Sequence, residues 1–289
     1  MANLKEIRNR IASVSSTMQI TSAMKMVSAA KLKKAQDAIT AMRPYANKLT
    51  ELLQNFSGSL DGESGSKFAD NREVQNVLIV AITSNRGLCG AFNSNIIKEC
   101  LSMAENADDG CKVDFLTIGK KAGDQLGKSY DIVEDHSTIY DELRFDRAAQ
   151  IAEQLMKLYT DGSYDKIEVV YNRFKNAATQ IVTTEQFLPI MPSEQPSDTT
   201  TSTADYIFEP TKAEIVEQLI PKSLKTQLFK AVRDSYASEH GARMTAMHKA
   251  TDNATELRDQ LKLTYNQARQ AAITNEILEI VGGAEALNN

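Results

Sequence analysis

Both ends of this 289-residue chain are almost free of the residues that break helices. Pro44 is the one proline or glycine before Gly58, and Gly241 is the one between Pro221 and Gly282. Uninterrupted helices of about 55 and 65–75 residues would rise roughly 80 and 100–110 Å. Ordinary globular helices average about 11–12 residues. We therefore predict two long helices that project beyond the domain between them.

The N-terminal segment carries a heptad seam, which is typical of a left-handed coiled coil. Apolar residues recur at alternating steps of three and four: Leu4, Ile7, Ile11, Val14, Met18, then Leu32, Ala35, Ile39, Met42, Ala46, Leu49, Leu53 and Phe56. Between these two groups the frame lands on Thr21, Lys25 and Ser28, while Met24, Met26 and Val27 lie beside it. This pattern predicts that the apolar face shifts around residues 20–28, and a harmless register irregularity explains it equally well.

The C-terminal segment has a matching seam of smaller residues, which allows two helices to approach closely. Its members are Met247, Ala250, Ala254, Leu257, Leu261, Thr264, Ala268, Ala271, Asn275 and Leu278. Because both segments join one middle domain, the simplest arrangement is an antiparallel pair within the chain. A homodimeric coiled coil is the alternative.

Charge is distributed unevenly along the chain. Residues 1–56 hold nine basic and three acidic side chains, whereas the whole chain has a net charge of −5. A basic helix in an acidic protein indicates an acidic partner. Nucleic acid fits poorly, because aromatic residues are not interleaved with the basic ones. The charges could equally form the solvated face of a coiled coil.

The middle of the chain alternates strands and helices, which predicts a small α/β domain with a mostly parallel, Rossmann-like sheet. The predicted strands are 77–82, 113–118, 167–171 and 180–188, with a possible strand at 131–133; the predicted helices are 91–105, 120–127 and 142–160. We predict three regions: a coiled-coil helix at 1–57, the α/β domain at 74–190, and a foot strand with the second coiled-coil helix at 205–289. Segments 58–73 and 191–204 are expected to be flexible.

The sequence predicts no catalytic residue, cofactor site or metal site. The stretch from Ala122 to Ser129 resembles a phosphate-binding loop, but Ala122 replaces its first glycine. The three histidines and three cysteines show no metal-ligand spacing, and the odd cysteine count fits a reducing compartment. The longest apolar run is about six residues, far short of the ~20 that cross a bilayer. The charged N-terminus does not resemble a secretory signal.

Four stretches then resemble the gamma subunits of F-type ATP synthases of the bacterial type. They are residues 273–286 (ITNEILEIVGGAEA), 23–31 (AMKMVSAAK), 83–90 (TSNRGLCG) and 242–247 (ARMTAM). The resemblance covers the full length, and the four stretches occur in the family's order. It implies a non-catalytic central-stalk rotor that transmits rotation of the c-ring to the catalytic alpha/beta hexamer, and that regulates ATPase activity and proton flow.

The resemblance also implies contact residues. Met24, Lys25 and Arg243 match the contact with acidic levers of the beta subunits, and Arg269, Gln270, Thr274 and Glu276 match an upper contact with a beta-subunit loop. Tyr206, Ile207 and Phe208 match the foot near the c-ring and the epsilon subunit. Lys25, Arg269 and Glu276 could instead be ordinary solvated charges. The turn at residues 83–90 is expected to shape the domain and bind nothing.

The implied partners are the alpha, beta and epsilon subunits and the c-ring, with one copy of this chain per complex and no nucleic acid. The membrane is reached only through the c-ring, which implies a peripheral protein on the cytoplasmic face of the bacterial inner membrane. Two other functions stay open on the residues alone: a non-motor coiled-coil scaffold or nucleic-acid clamp, and an α/β enzyme with helical arms.

Overall fold

A computed structural model describes residues 4–57, 68, 72–107, 110–190 and 212–288 of the chain. The chain divides into two compact units. The first, the shaft unit, joins residues 1–29 to residues 243–289, and the second, the sheet unit, comprises residues 30–242.

The two long helices are confirmed. Helix α1 spans Leu4–Ser57 (54 residues), and the last helix, α5, spans Lys212–Asn288 (77 residues). Helix α5 is longer than the sequence predicted, because it continues through Pro221 and through both glycines near its end. An internal proline costs about 3 kcal/mol or more. Ile220 and Leu224, on either side of Pro221, are both buried, and burying such a side chain contributes about 1.5–3 kcal/mol.

Within the shaft unit, the two helices pack antiparallel. Thr21 contacts Thr251 through their hydroxyls at 2.8 Å, and Arg8 donates to the Tyr265 hydroxyl at 2.8 Å. Residues nearer the N-terminus of α1 therefore contact residues nearer the C-terminus of α5. We call residues 4–29 and 243–272 the helix pair.

The predicted shift of the apolar face around residues 20–28 is wrong. Thr21 and Ser28 are buried in the original heptad frame, and Lys25 is half-buried in it. The apolar residues beside the frame, Met26 and Val27, are 65% and 57% exposed. The register therefore stays constant, and polar side chains occupy the seam. The Thr21 hydroxyl is accommodated there because it also lies 3.1 Å from a main-chain carbonyl of its own helix.

Half of the predicted seam of α5 is also wrong. Buried or half-buried positions recur at steps of four and three at Met247, Thr251, Ala254, Arg258, Leu261, Tyr265, Ala268 and Ala272, and the neighbouring Ala250 and Thr255 are half-buried as well. The predicted member Leu257 is instead 47% exposed. Arg258 takes the seam position because its stem packs inward while its guanidinium reaches the Met18 sulfur at 3.6 Å. At Leu257, Thr264 and Ala271 the observed seam lies one residue later than the predicted one.

The sheet unit contains the predicted five-stranded sheet. Its strands are β1 (Asn76–Ile82), β2 (Lys112–Ile118), β3 (Ile132–Asp135), β4 (Lys166–Phe174) and β5 (Gln180–Leu188), in the order β3-β2-β1-β4-β5. All neighbours are parallel except β4 and β5. The connecting helices are α2 (Phe92–Glu105), α3 (Lys120–Leu126) and α4 (Phe145–Thr160), with a 3-10 turn at Ser137–Tyr140. The α/β prediction is confirmed.

Strand β1 is buried along almost its whole length, as its continuous apolar run predicted. One face of the sheet packs on α4 and on residues 220–232 of α5 through Leu78, Leu155 and Leu228. The opposite face packs on α2 and α3 through Ile79 and Ile96. The predicted domain boundaries, 74–190, lie inside this unit, and the two flanking segments lie largely outside the described residues.

Candidate functional site

The turn at residues 83–90 follows β1 at the carboxyl edge of the sheet. Strands β2 and β4 lie on opposite sides of β1 there, and such an edge is where doubly wound proteins bind ligands. Here the polar side chains of the turn bond to the protein itself. The Thr83 hydroxyl donates to the Gly119 carbonyl at 3.1 Å, and the Asn85 amide donates to the Ser137 carbonyl at 2.9 Å.

Further bonds fix the rest of this turn. The Ser84 main-chain N–H and hydroxyl both donate to Asn93 Oδ1 at 3.0 Å. A Cβ at Gly119 would lie 2.2 Å from the Thr83 carbonyl oxygen, so only glycine permits this close approach. Leu88 has a φ of 62° and is 64% exposed. These bonds therefore hold the turn in place between the strand ends, and the apolar side chain of Leu88 protrudes from it.

The stretch that resembles a phosphate-binding loop lies in and after helix α3, with Ala122 and Leu126 buried against the sheet. Its backbone N–H groups are used within the helix and its C-terminal turn, where Gly127 donates to the Gly123 carbonyl at 3.1 Å. A phosphate-binding loop needs such N–H groups free. This geometry agrees with the rejection of the motif from sequence.

Burial raises the pKa of one cysteine and of buried tyrosines in the sheet unit. Burial raises the pKa of the Cys100 thiol to about 12. Burial and the carboxylate of Glu185 raise the pKa of Tyr171, whose hydroxyl donates to Glu185 at 2.6 Å. Burial likewise raises the pKa of Tyr140 well above its usual value. Within the described residues, no group of three His, Cys, Asp or Glu side chains could hold a metal ion.

Lys25 lies on the helix pair beside two titratable groups of α5. Its Nζ is 3.4 Å from His248 Nδ1, and the same Nδ1 is 3.3 Å from Asp252 Oδ2. Met24, the other predicted contact on α1, is half-buried. Sequence reasoning missed His248, because the two histidines of α5, His240 and His248, are eight residues apart and gave no spacing signal.

Arg243, the predicted contact on the opposite helix, is only 7% exposed. A buried guanidinium must be hydrogen-bonded or paired, because an isolated buried charge is very costly. Lys25 and Arg243 are thus brought into one unit but in different environments. Lys25 is half-buried at the edge of the seam, whereas Arg243 is part of the packed interior.

The predicted upper contacts lie on a single exposed length of helix. Arg269, Gln270, Thr274 and Glu276 are all exposed, and the Thr274 hydroxyl donates to the Gln270 carbonyl at 3.0 Å. We call residues 273–288 the α5 tip. Five large apolar side chains of the tip are exposed: Ile273, Ile277, Leu278, Ile280 and Val281. The predicted foot residues Tyr206, Ile207 and Phe208 lie outside the described residues.

The outer face of the helix pair carries apolar residues that sequence reasoning did not assign to a surface. Ile20 is 57% exposed, and Met26 and Val27 are similarly exposed. Ile20 and Val27 are seven residues apart and therefore lie on the same side of α1. The sequence did indicate this exposed surface, because all three residues fall outside the heptad frame. None of the described helices is long and apolar enough to cross a membrane.

These features define a class of protein: an α/β sheet domain combined with an antiparallel pair of long helices. Solved structures of that class include a central-stalk and c-ring chain of the Tetrahymena thermophila mitochondrial ATP synthase, with a TM-score of 0.59 and 26% identity over 80% of this chain and 99% of that one. A chain of the Euglena gracilis mitochondrial ATP synthase has a TM-score of 0.68 at 23% identity, over 98% and 94%, and shares the fold.

The sequence comparisons are more specific. The sequence model of the family described as ATP synthase matches residues 3–287. The ATP synthase gamma chain of Flavobacterium psychrophilum is 71% identical, over 99% of each chain. That of Flavobacterium johnsoniae is 70% identical over 100% of each. This chain belongs to the gamma-chain family of ATP synthases.

Proposed function

We propose that this chain is the rotor of the central stalk in an F-type, proton-translocating ATP synthase. It transmits rotation of the membrane c-ring to a catalytic hexamer of alpha and beta subunits, and thereby regulates ATPase activity and proton flow. The observation that carries the proposal is the helix pair, whose seam is filled by its own two helices while its outer face presents exposed apolar and basic side chains. Such a face is suited to contacting a surrounding partner.

The chain itself is non-catalytic in this proposal. The carboxyl edge of the sheet, where a ligand would bind in a doubly wound enzyme, is closed by the bonds of residues 83–90 to their neighbours. The chemistry then belongs to the hexamer, and this chain supplies an asymmetric surface that turns against it.

The partners follow from the family. The structural neighbours from Euglena gracilis are chains of an ATP synthase that includes F1, a rotor and a c-ring. We assign one copy of this chain to each complex, bound to the hexamer, to the epsilon subunit through the sheet unit, and to the c-ring through residues 206–208. Membrane attachment is through the c-ring alone, on the cytoplasmic face of the bacterial inner membrane.

The exposure of their side chains supports some of the proposed contacts with the hexamer more than others. Lys25 has its ammonium at the edge of the helix pair, where an acidic side chain of a partner can approach. Arg243 is only 7% exposed, so it offers a partner less surface than Lys25 does. The exposed residues 269–276 and the apolar α5 tip offer a second, separate contact.

Subunit composition tests the proposal at its coarsest level. Affinity purification of the tagged chain from its own membranes should recover two nucleotide-binding partners at about three copies each per chain. Recovery of this chain without them, or tight binding to nucleic acid with a steep salt dependence, would contradict the proposal.

Charge reversal at Lys25 tests the transmission of torque. An exposed ion pair contributes about 0–1 kcal/mol, and a shielded pair contributes more. We expect Lys25→Glu to retain ATP hydrolysis while proton pumping falls disproportionately, because repulsion replaces attraction at an acidic partner. Raised salt should partly restore pumping by screening. Hydrolysis and pumping are measured side by side in membrane vesicles.

The matched control is Lys249→Glu, which reverses an exposed charge on α5 one residue from His248. It should leave the ratio of pumping to hydrolysis near the wild-type value. A proportional loss of both activities in Lys25→Glu, or an equal effect of the two variants, would remove Lys25 from the contact.

A further inference from the structure

Three titratable groups meet at one point of the helix pair. Lys25 approaches from α1, and His248 and Asp252 lie one turn apart on α5. The distances converge on a single atom: His248 Nδ1 is 3.4 Å from Lys25 Nζ and 3.3 Å from Asp252 Oδ2.

One ring nitrogen cannot serve both neighbours at once. The Lys25 ammonium only donates hydrogen bonds, so it needs a lone pair on Nδ1. The Asp252 carboxylate only accepts them, so it needs a proton on Nδ1. The position of one proton therefore decides whether His248 bonds across the pair to α1 or along its own helix.

We propose that His248 is a positioning residue that holds or releases the Lys25 ammonium according to the proton on Nδ1. When Nδ1 carries no proton, the Lys25 ammonium donates a hydrogen bond to His248 of α5. With the ring doubly protonated, Nδ1 donates to Asp252, and the positive ring repels Lys25 toward the outside of the pair. The consequence for coupling rests on the proposed function, in which Lys25 contacts an acidic partner.

Two charged side chains contact the His248 ring. Lys25 is the charged group that faces it from α1, and Asp252 is the one that faces it from α5. The His248 side chain is 57% exposed, so solvent protons reach it directly. Histidine is the side chain that ordinarily changes its charge between about pH 5 and 8. Double protonation of the ring therefore favours release of Lys25, and loss of the Nδ1 proton favours its hydrogen bond to His248.

Nitrogen-15 NMR of the full chain tests the contact directly. Histidine-selective labelling gives only three rings, and His136 and His240 serve as internal references. The 15N shift of Nδ1 reports whether that atom carries a proton. At pH 8 we expect Lys25→Met to raise the fraction with a proton on Nδ1, because its competing donor is lost. We expect Asp252→Asn to lower that fraction.

Lys249→Met is the matched control, because it removes an exposed neighbouring ammonium. It should leave the Nδ1 signal unchanged. If Lys25→Met and Asp252→Asn also leave it unchanged, the exchange of partners at Nδ1 is overturned.

The assembled complex tests the consequence. His248→Gln supplies an amide that can accept from Lys25 and donate to Asp252 together, and it does not titrate. Between pH 5.5 and 8, the ratio of pumping to hydrolysis should change with pH by up to about fivefold more in the wild type than in His248→Gln, the size of an exposed ion-pair effect. Equal pH profiles for the two proteins would overturn the positioning role.

The two proposals fail in distinguishable ways. If Lys25→Glu uncouples pumping while His248→Gln keeps the wild-type pH profile, the rotor contact stands and the role of His248 falls. The NMR exchange could be observed while Lys25→Glu leaves the ratio of pumping to hydrolysis unchanged. That result would support the hydrogen bond between Lys25 and His248 and would contradict the proposed contact of Lys25 with an acidic partner.

Discussion

Thr21 and Thr251 occupy seam positions where a coiled coil usually places leucine or isoleucine. Each hydroxyl lies within hydrogen-bond distance of a carbonyl of its own helix, and the two oxygens are 2.8 Å apart. The two hydroxyl groups thus have two protons between them for these three contacts. A heptad frame read from hydrophobicity discards such positions, although their hydroxyls are satisfied and their volumes fit a closely packed pair.

A double-mutant cycle measures this contact. Thr21→Val and Thr251→Val should each lower the free energy of unfolding by about 0.5–1 kcal/mol. The double variant should lose less than the sum, because either single change already breaks the bond between the helices. Thr17→Val is the control, since the exposed Thr17 bonds only within α1. Urea denaturation followed by circular dichroism gives the values, and strict additivity would show that the 2.8 Å contact contributes nothing.

At the scale of elements, two isoleucines of α1 show which face of the helix is inside the pair and which is outside. Ile7 is 5% exposed in the seam, and Ile20 is 57% exposed on the outside. Helical periodicity alone placed Ile7 correctly, because it starts an unbroken apolar frame. The same reasoning failed on α5, where Leu257 looked like a better seam residue than Arg258.

Aspartate substitutions at the two isoleucines test this assignment. Ile7→Asp places a carboxylate in an apolar contact and should destabilise the helix pair by about 3 kcal/mol or more. Ile20→Asp leaves the charge in solvent and should change stability by no more than about 0.5 kcal/mol. Helix content and melting temperature of the isolated chain report the difference. Equal effects of the two substitutions would mean that the seam has been assigned to the wrong face.

At the scale of the whole molecule, stability depends on tyrosines that the sheet unit keeps protonated. Burial raises the pKa of Tyr171 and of Tyr140 above the value of about 10 in an unfolded chain. Below pH 10 both states hold these protons, so this contribution to stability is fully present. As the pH rises above 10, the unfolded state loses its protons first. The free energy of unfolding then falls until the pH passes the folded-state pKa.

We expect each such tyrosine to contribute a slope of about −1.4 kcal/mol per pH unit above pH 10. Tyr171→Phe should lower stability at pH 8, because the hydroxyl loses its bond to Glu185, but should make the decline between pH 10 and 11.5 shallower. Tyr45→Phe, at a residue that is 48% exposed, is the control and should keep the wild-type slope. Midpoints of urea denaturation, measured across this pH range, give the slope for each protein. An unchanged slope in Tyr171→Phe would show that Tyr171 ionises as readily in the folded chain as in the unfolded one.

Local chemistry by itself determined the elements of this protein. The scarcity of glycine and proline determined two long helices, and the continuous apolar run at residues 77–82 determined a strand buried on both faces. The strand at 180–188 was predicted at its observed bounds, because alternation and flanking turn residues act over a few neighbouring positions. The four spaced motifs were enough to indicate the family.

Tertiary structure decided which side chains of those elements meet. Arg258 lies in the seam because Met18 of the other helix receives its guanidinium, and Arg243 is buried despite its charge. The meeting of Lys25, His248 and Asp252 joins positions more than 220 residues apart along the chain. Such contacts depend on the register between two helices, and register is set by the summed packing of both surfaces rather than by the pattern of either one.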